Sequence, residues 1–391
     1  MEPIYVLTRC MTTPRRLWCD DPNRFFFARA ARKEQMWETK DMAMIKTRSF
    51  ARAGFLGNPS DGYFGKTLSF AFSNFGVELT LSESSRLRFV PGEVDDATFD
   101  SPEQLVRDLR LYGYYGGIRL LKAVTKRFYE YCCKNGVTLP KRNFTAEYKI
   151  NIPRLVGLSG SSAICSAMLK ALMKFYEVEI PLEVAPTICL EAEKEELRIN
   201  CGFQDRVIQM YNGVVFMDFE KSFVEANNRG RYERIDPALM PKLYVSYDAA
   251  RAEESGEAHK EVKRLFEAKN SDVLAAMTEF ADIAQQGRDA LLAGRPEKIP
   301  ALVDANFNLR DRIFNVAEEN RRMVMTARKS GASAKFAGSG GAIVGTYEDE
   351  AQYAALERDL AAIGCKTLKP SIATTADETA PLVSFANWRN S

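Results

Sequence analysis

Apolar and polar residues alternate over 144–152, where Phe144, Ala146, Tyr148, Ile150 and Ile152 stand between Thr145, Glu147, Lys149 and Asn151. That period of two predicts a half-buried strand. Further on, Ile164, Met168, Ala171, Leu172 and Phe175 return at three- and four-residue steps, with Lys170 and Lys174 off the stripe. This spacing predicts an amphipathic helix from near Ser161. Between the two lies Pro153-Arg154-Leu155-Val156-Gly157-Leu158-Ser159-Gly160-Ser161-Ser162-Ala163, a turn rich in glycine and serine.

The same reading organises the rest of the chain. Residues 49–56 read as a strand entering the turn-rich loop 57–62. Leu68, Phe70 and Phe72, then Val77, Leu79 and Leu81, predict a β-hairpin or meander. A helix is expected over 101–111. A second, with Ile118, Leu121, Val124 and Phe128 on one face, stops at Asn135-Gly136. Residues 182–197 form an acid-rich helix, which reads as a solvated face, and 214–217 a strand. The polar stretch 220–241, ending in Pro237 and Pro241, suits an inter-domain crossing. Beyond it come a strand at 243–247, two or three helices across 256–330, a small-residue turn over 335–342, a helix at 349–363 and a strand at 366–372.

Composition narrows the classes. With 391 residues, 46% apolar, the chain can bury a large core and predicts two domains. A net charge of +2 gives no global attraction to nucleic acid or to an anionic membrane. No apolar run approaches the length of a membrane span. The eight cysteines are scattered apart from Cys132-Cys133, which suits a reducing compartment. A single histidine, His259, argues against a Ser-His-Asp triad and a multi-histidine metal site. Residues 1–46 read as an extension, arginine-rich like a mitochondrial presequence. Glu2, Asp20, Asp21 and Glu34 weigh against that, so a cytoplasmic location is expected.

Three stretches carry candidate chemistry. The turn at 157–163 presents backbone N–H groups at the positive end of a helix dipole, a natural seat for phosphate. Its serines can add hydrogen bonds or ligate magnesium. An ordinary serine-capped helix start is the alternative. Gly65-Lys66-Thr67 is not a P-loop, because Ser60 stands where the leading glycine belongs. The turn at Gly338-Ser339-Gly340-Gly341 does not fit dinucleotide spacing, since position 343 is Ile343, but it lets some backbone or ligand approach closely. Asp205 stands among apolar neighbours, either paired with Arg206 or held for chemistry.

Taken in order, segments 52–61, 153–163 and 335–341 resemble the three motifs of the GHMP kinase superfamily of small-molecule kinases. The likeness runs from about residue 48 to about 374. Within the superfamily it is nearest to the glucuronokinases, through 49–65, 113–121, 151–163, 204–207 and 338–342. The resemblance implies a two-domain α/β fold with the active site in the cleft. A ribosomal S5 domain 2-like, ATP-binding half spans 47–238, and a ferredoxin-like half spans 239–391. It implies ATP and Mg2+, and phosphorylation of the anomeric hydroxyl of D-glucuronate. Another sugar (galactose, arabinose or galacturonate) and a non-catalytic sugar sensor remain as alternatives. The small molecule is the expected partner of a monomer or homodimer.

Residue roles follow from the same likeness. Asp205 matches a catalytic aspartate and Arg52 the basic residue facing it. Gly157 through Ala163 match the phosphate loop, joined by Gly338, Ser339 and Gly340. Ser161, or Ser162 beside it, matches a magnesium ligand, with Glu193 at the place of a magnesium-associated glutamate. Asp61 matches a sugar-binding aspartate. Asn58, where relatives carry glutamate, and Tyr115 and Gly116 complete the expected substrate set. A uronate needs a cation, and Arg119, Arg154, Arg206 and Lys66 are the candidates in or beside these segments.

Overall fold

The strand and helix periods settle into two sheets. The structure, a computed structural model, describes residues 44–92, 95, 116–248 and 256–378. The first sheet holds β1 (Met44–Leu56), β2 (Lys66–Ser84), β3 (Arg88–Phe89), β4 (Asn143–Ile150), β5 (Val214–Asp218) and β6 (Arg231–Ile235). Its order is β3-β4-β2-β5-β6, with β1 antiparallel along β2. Met44 to Lys46, expected in the extension, are thus the start of β1. The rest of that extension, the helix expected at 101–111 and Tyr115 lie outside the described residues.

The expected hairpin is instead one strand of 19 residues. Phe50 pairs with Gly76 and Ala51 with Phe72, so Ser73, Asn74 and Phe75 form a bulge and not a turn. The bulge persists because its polar groups find partners 298 and 297 residues away in sequence. The Ser73 amide donates to the Ser371 carbonyl at 2.8 Å, and the Ser371 amide to Asn74 Oδ1 at 2.7 Å. No local pattern announces such a contact.

Against this sheet pack α1 (Gly117–Lys134), α2 (Gly160–Tyr176), α3 (Ala185–Glu191), which runs into a π-turn over Ala192–Glu196, and α4 (Gln204–Tyr211). The middle of α2 is buried on every side, with Ile164, Met168, Leu169 and Leu172 at zero exposure. The stretch expected to cross between domains instead forms α5 (Lys221–Asn227) and β6, which extends the first sheet by pairing with β5. Its sparse apolar side chains suffice for an edge strand. Ile235 is buried, and Tyr232 packs edge-on against Tyr211.

The second sheet contains β7 (Leu243–Tyr247), β8 (Lys335–Phe336), β9 (Ala342–Thr346) and β10 (Lys366–Leu368), in the order β10-β7-β9-β8. With it go α6 (Gly256–Glu267), α7 (Ser271–Leu292), α8 (Ile299–Ile313), α9 (Glu318–Lys329) and α10 (Glu350–Ala361). Four helices fill 256–330 where two or three were expected, because the Asn270 cap and the Gly294–Pro296 turn divide the apolar pattern. The last strand stops at Leu368, short of Ile372. The chain then returns to the first sheet, where the Ala373 amide meets the Ala71 carbonyl at 2.8 Å. Among the described residues the cysteines are free thiols, and no helix is long and apolar enough to cross a membrane.

Candidate active site

One guanidinium ties the three motif-like segments together. Arg52 leaves β1 and grips Asp205 at the start of α4 with two parallel bonds, Nε to Oδ1 at 2.6 Å and Nη2 to Oδ2 at 3.0 Å. Its Nη1 donates to the carbonyls of Gly157 at 2.6 Å and Ala337 at 3.0 Å. A fork of this kind is among the stronger polar contacts a protein makes. The two glycine turns meet backbone to backbone. A Cβ on Gly157 would stand 2.8 Å from the Gly340 carbonyl oxygen, and one on Gly338 would collide with the Gly157 carbonyl. The close approach that the 338–341 turn permits is to the 157 turn.

The start of α2 is open to an anion. Ser159 sits in the left-handed region with φ at 66°. Its hydroxyl donates to Asp205 Oδ2 and makes no bond to the helix amides. The first turn therefore has no side-chain cap, and it carries no acid. These amides and the dipole behind them favour negative charge. Gly157 to Ser162 line a cavity of about 630 Å³, together with Arg52, Asp61, Asn58, Glu193, Asp205, Gly338 and Ser339. Ala163 is fully buried behind that wall, and neither Gly340 nor Gly116 lines it.

Glu193 is the exception on its acid-rich helix. It is fully buried, not solvated, because it receives Arg206 Nε at 2.5 Å and the Ser162 hydroxyl at 3.0 Å. That pair also removes the alternative of an Asp205–Arg206 ion pair. Neighbouring residues on a helix point apart, so Asp205 turns to Arg52 while Arg206 turns to Glu193 and the Gly202 carbonyl. Ser161 is partly exposed on the cavity wall, whereas Ser162 is buried against Glu193. Two hydroxyls and one carboxylate beside open amides fit magnesium carried on phosphates, which asks for only one or two protein ligands.

The two aspartates differ in charge state. Burial alone would raise Asp205, but Arg52, then Arg206, with hydrogen bonds from Arg52 and Ser159, hold its carboxyl at about 2. Asp61 is pushed up to about 6, first by burial and then by the charge of Asp205. It accepts bonds from the Gln204 amide at 3.1 Å and Gln204 Nε2 at 2.9 Å. Asn58 is buried beside it and receives Lys335 Nζ, whose other partners are the Gly54 and Phe336 carbonyls, both at 2.7 Å. Burial, then Arg310 and Arg52, push that ammonium well below its ordinary value.

Several residues at the cavity wall or buried behind it escaped sequence reasoning. Asn306 and Arg310 lie one turn apart on α8. Asn306 Oδ1 receives the Gly57 amide at 2.6 Å and its Nδ2 donates to the Asn58 carbonyl at 3.1 Å, which shapes the loop after β1. Arg310 donates to the carbonyls of Gly338 at 3.0 Å and Ser339 at 2.8 Å. Lys263, Phe266 and Glu267 of α6 complete one rim. Of the expected cations, Arg154 and Arg206 line the cavity. Arg119 and Lys66 do not, and Lys66 Nζ bonds Gln285 at 2.9 Å.

Comparison with known proteins gives a consistent family. The model of the GHMP kinases N terminal domain matches residues 119–213. Probable glucuronokinase 2 of Arabidopsis thaliana is 46% identical over 312 residues, covering 78% of this chain and 85% of its own length. Glucuronokinase 1 of the same plant is 44% identical over 308 residues, or 77% and 84%. The fold is that of Lactococcus lactis galactokinase complexed with galactose, with TM-score 0.69 at 14% identity over 86% of this chain and 95% of that one. Streptococcus pneumoniae phosphomevalonate kinase, solved with phosphomevalonate and AMPPNP, gives TM-score 0.65 at 15% identity over 84% and 100%.

Proposed function

The chain belongs to the GHMP kinase family as a glucuronokinase-like carbohydrate kinase, and from that premise we propose that it phosphorylates D-glucuronate. The γ-phosphoryl group of ATP passes to the anomeric hydroxyl, giving 1-phospho-α-D-glucuronate and ADP. One observation carries this reading. The Ser159 hydroxyl links the Asp205 carboxylate to the open turn at the start of α2, so an acceptor site and a phosphate site share one cavity. The names of the plant relatives support the choice of sugar acid.

Phosphoryl transfer asks a protein for in-line placement and charge neutralisation more than for covalent help. Residues 157–162 hold the phosphates through backbone amides, with Gly338 and Ser339 closing the far side. Ser161, Ser162 and Glu193 would hold magnesium, which neutralises charge on the transferring phosphoryl group. Asp205 orients the sugar hydroxyl and accepts its proton. A carboxylate held near 2 is ionised at any working pH but is a weak base. It therefore takes the proton late, once bonding to phosphorus has acidified the hydroxyl. Arg52 steadies Asp205 and the nascent alkoxide. Asp61 and Asn58, which line the cavity with Asp205, make the sugar end. In this reading, residues 47–238 carry the nucleotide and 239–391 close the cleft.

The test is ADP release measured against a panel of glucuronate, galacturonate, glucose, galactose and arabinose. Release dependent on glucuronate above the other sugars is expected. Preference for a neutral sugar would replace the substrate, and no sugar-dependent release would leave a binding protein on a kinase fold.

A further inference from the structure

The side chain of Gln209 is fully buried, and half of its amide is unused. Its Oε1 has no hydrogen-bond partner among the described residues, whereas its Nε2 donates to the carbonyls of Phe50 at 3.1 Å and Ser159 at 2.9 Å. Both neighbours can only accept, so the NH2 end must face them. A buried amide with an orphaned oxygen costs stability, and a position that keeps one calls for a reason. Methionine would fill the volume without that cost.

The two carbonyls belong to the site. Gln209 stands one turn after Asp205 on α4, and residues four apart share a helix face. Phe50 lies on β1 two residues before Arg52, where the pairing with β2 shifts register. Ser159 precedes α2, and its carbonyl also accepts the Ala163 amide at 3.1 Å. Gln209 thus fixes the peptide that follows Ser159, while the Ser159 hydroxyl reaches Asp205. A serine at φ 66° stays there only because its surroundings hold it, since left-handed backbone crowds a Cβ. The tie runs both ways, because Lys170 of α2 donates from Nζ to the Gln209 carbonyl at 2.8 Å.

We propose that Gln209 is a positioning residue for phosphoryl transfer, holding Ser159 in the backbone conformation that keeps its hydroxyl on Asp205. This rests on the kinase reading above but not on the choice of sugar. Without the amide, the Ser159 carbonyl keeps only its bond from Ala163, the peptide is free to rotate, and the hydroxyl leaves Asp205. The carboxylate then loses one of the two side chains, Ser159 and Arg52, that orient it towards the acceptor.

The experiment is a double-mutant cycle between Gln209 and Ser159, read as kcat on whichever sugar the wild type turns over. No sugar-dependent turnover by the wild type would end the kinase reading and the proposal with it. Given turnover, Gln209→Met should lower kcat about 100-fold, the loss expected when a group shifts by about 1 Å, with KM for ATP within about threefold. Ser159→Gly, which suits the left-handed backbone and removes the hydroxyl, should lose a comparable amount. Joined, the two should cost no more than about fivefold beyond either alone, because both break one link. A residue that merely fills the core would give losses that multiply to about 10⁴-fold, and that result would overturn the proposal. So would wild-type kcat in either single variant. If Gln209→Met does not fold, Gln209→Asn, whose amide is one methylene too short to reach both carbonyls, takes its place in the cycle with the same expectations.

Discussion

Asp61 is a buried acid working against its own fold, and Asp61→Asn should relieve it. In the folded protein its pKa rises from 3.8 to about 6, by burial and then by the charge of Asp205. At about 1.4 kcal/mol per unit, ionising it in place costs about 3 kcal/mol. A folded-state pKa above the unfolded one contributes stability that is complete below pH 3.8 and is lost as pH rises through about 6. The wild type thus surrenders that amount between roughly pH 4 and 7, whereas asparagine has nothing to titrate. The amide also fits the hydrogen bonds. Gln204 can turn its side-chain amide over, so that Oε1 accepts from the new Nδ2 and Nε2 donates to Ser69 Oγ, now 2.8 Å from Oε1.

The gain of Asp61→Asn over wild type should therefore be near zero at about pH 3, about 1 kcal/mol at about pH 4.5, and approach about 3 kcal/mol at about pH 8. For a chain of this size that is a rise in Tm of roughly 5 °C. Thermal unfolding of both proteins across that pH range reads it directly, because other titrations cancel in the difference. A variant less stable than wild type at pH 8, or a difference that ignores pH, would refute the electrostatic account. The same substitution should raise KM for the sugar several-fold, as expected when a strained group serves binding.

Asp205→Asn should cut kcat by about 10²–10⁴-fold while ATP affinity, measured by calorimetry, stays within twofold. Near-normal turnover would remove Asp205 from the chemistry. Gly338→Ala pushes a methyl group into the Gly157 carbonyl and should destabilise by about 1–3 kcal/mol. Activity should drop further than stability, roughly 10²-fold for a shift near 1 Å, and wild-type kinetics would show that the two turns need not touch. Glu378→Ala strips the buried Lys170 ammonium of its carboxylate partner and should cost about 3–5 kcal/mol in chemical denaturation. An unchanged denaturation midpoint would mean that the returning C-terminal segment adds nothing to the first sheet.

What the chain discloses before folding is whatever depends on near neighbours. The alternation in β4, the glycine-serine turn and the helical period of α2 are each complete within a few residues, and all three elements appear where the pattern puts them, although α2 is buried throughout 162–172, Lys170 included, and not on one stripe alone. The unbroken course of β2 was hidden because its bulge is satisfied from residue 371. Glu193 read as a solvated acid because the residue that keeps it buried, Arg206, stands 13 positions on and beside a more obvious partner. Asn306 and Arg310 carried no signal, since a helix stripe tells which face is apolar but not which turn reaches a cleft.

Charge accounting is where the fold adds most to the candidate site. From sequence, Arg206 was as good a home for a sugar carboxylate as any cation near the motifs. In the folded chain its fork is already closed by Glu193, and that of Arg52 by Asp205, 153 residues away. Each pairing fixes one guanidinium to the machinery of transfer and removes it from substrate recognition.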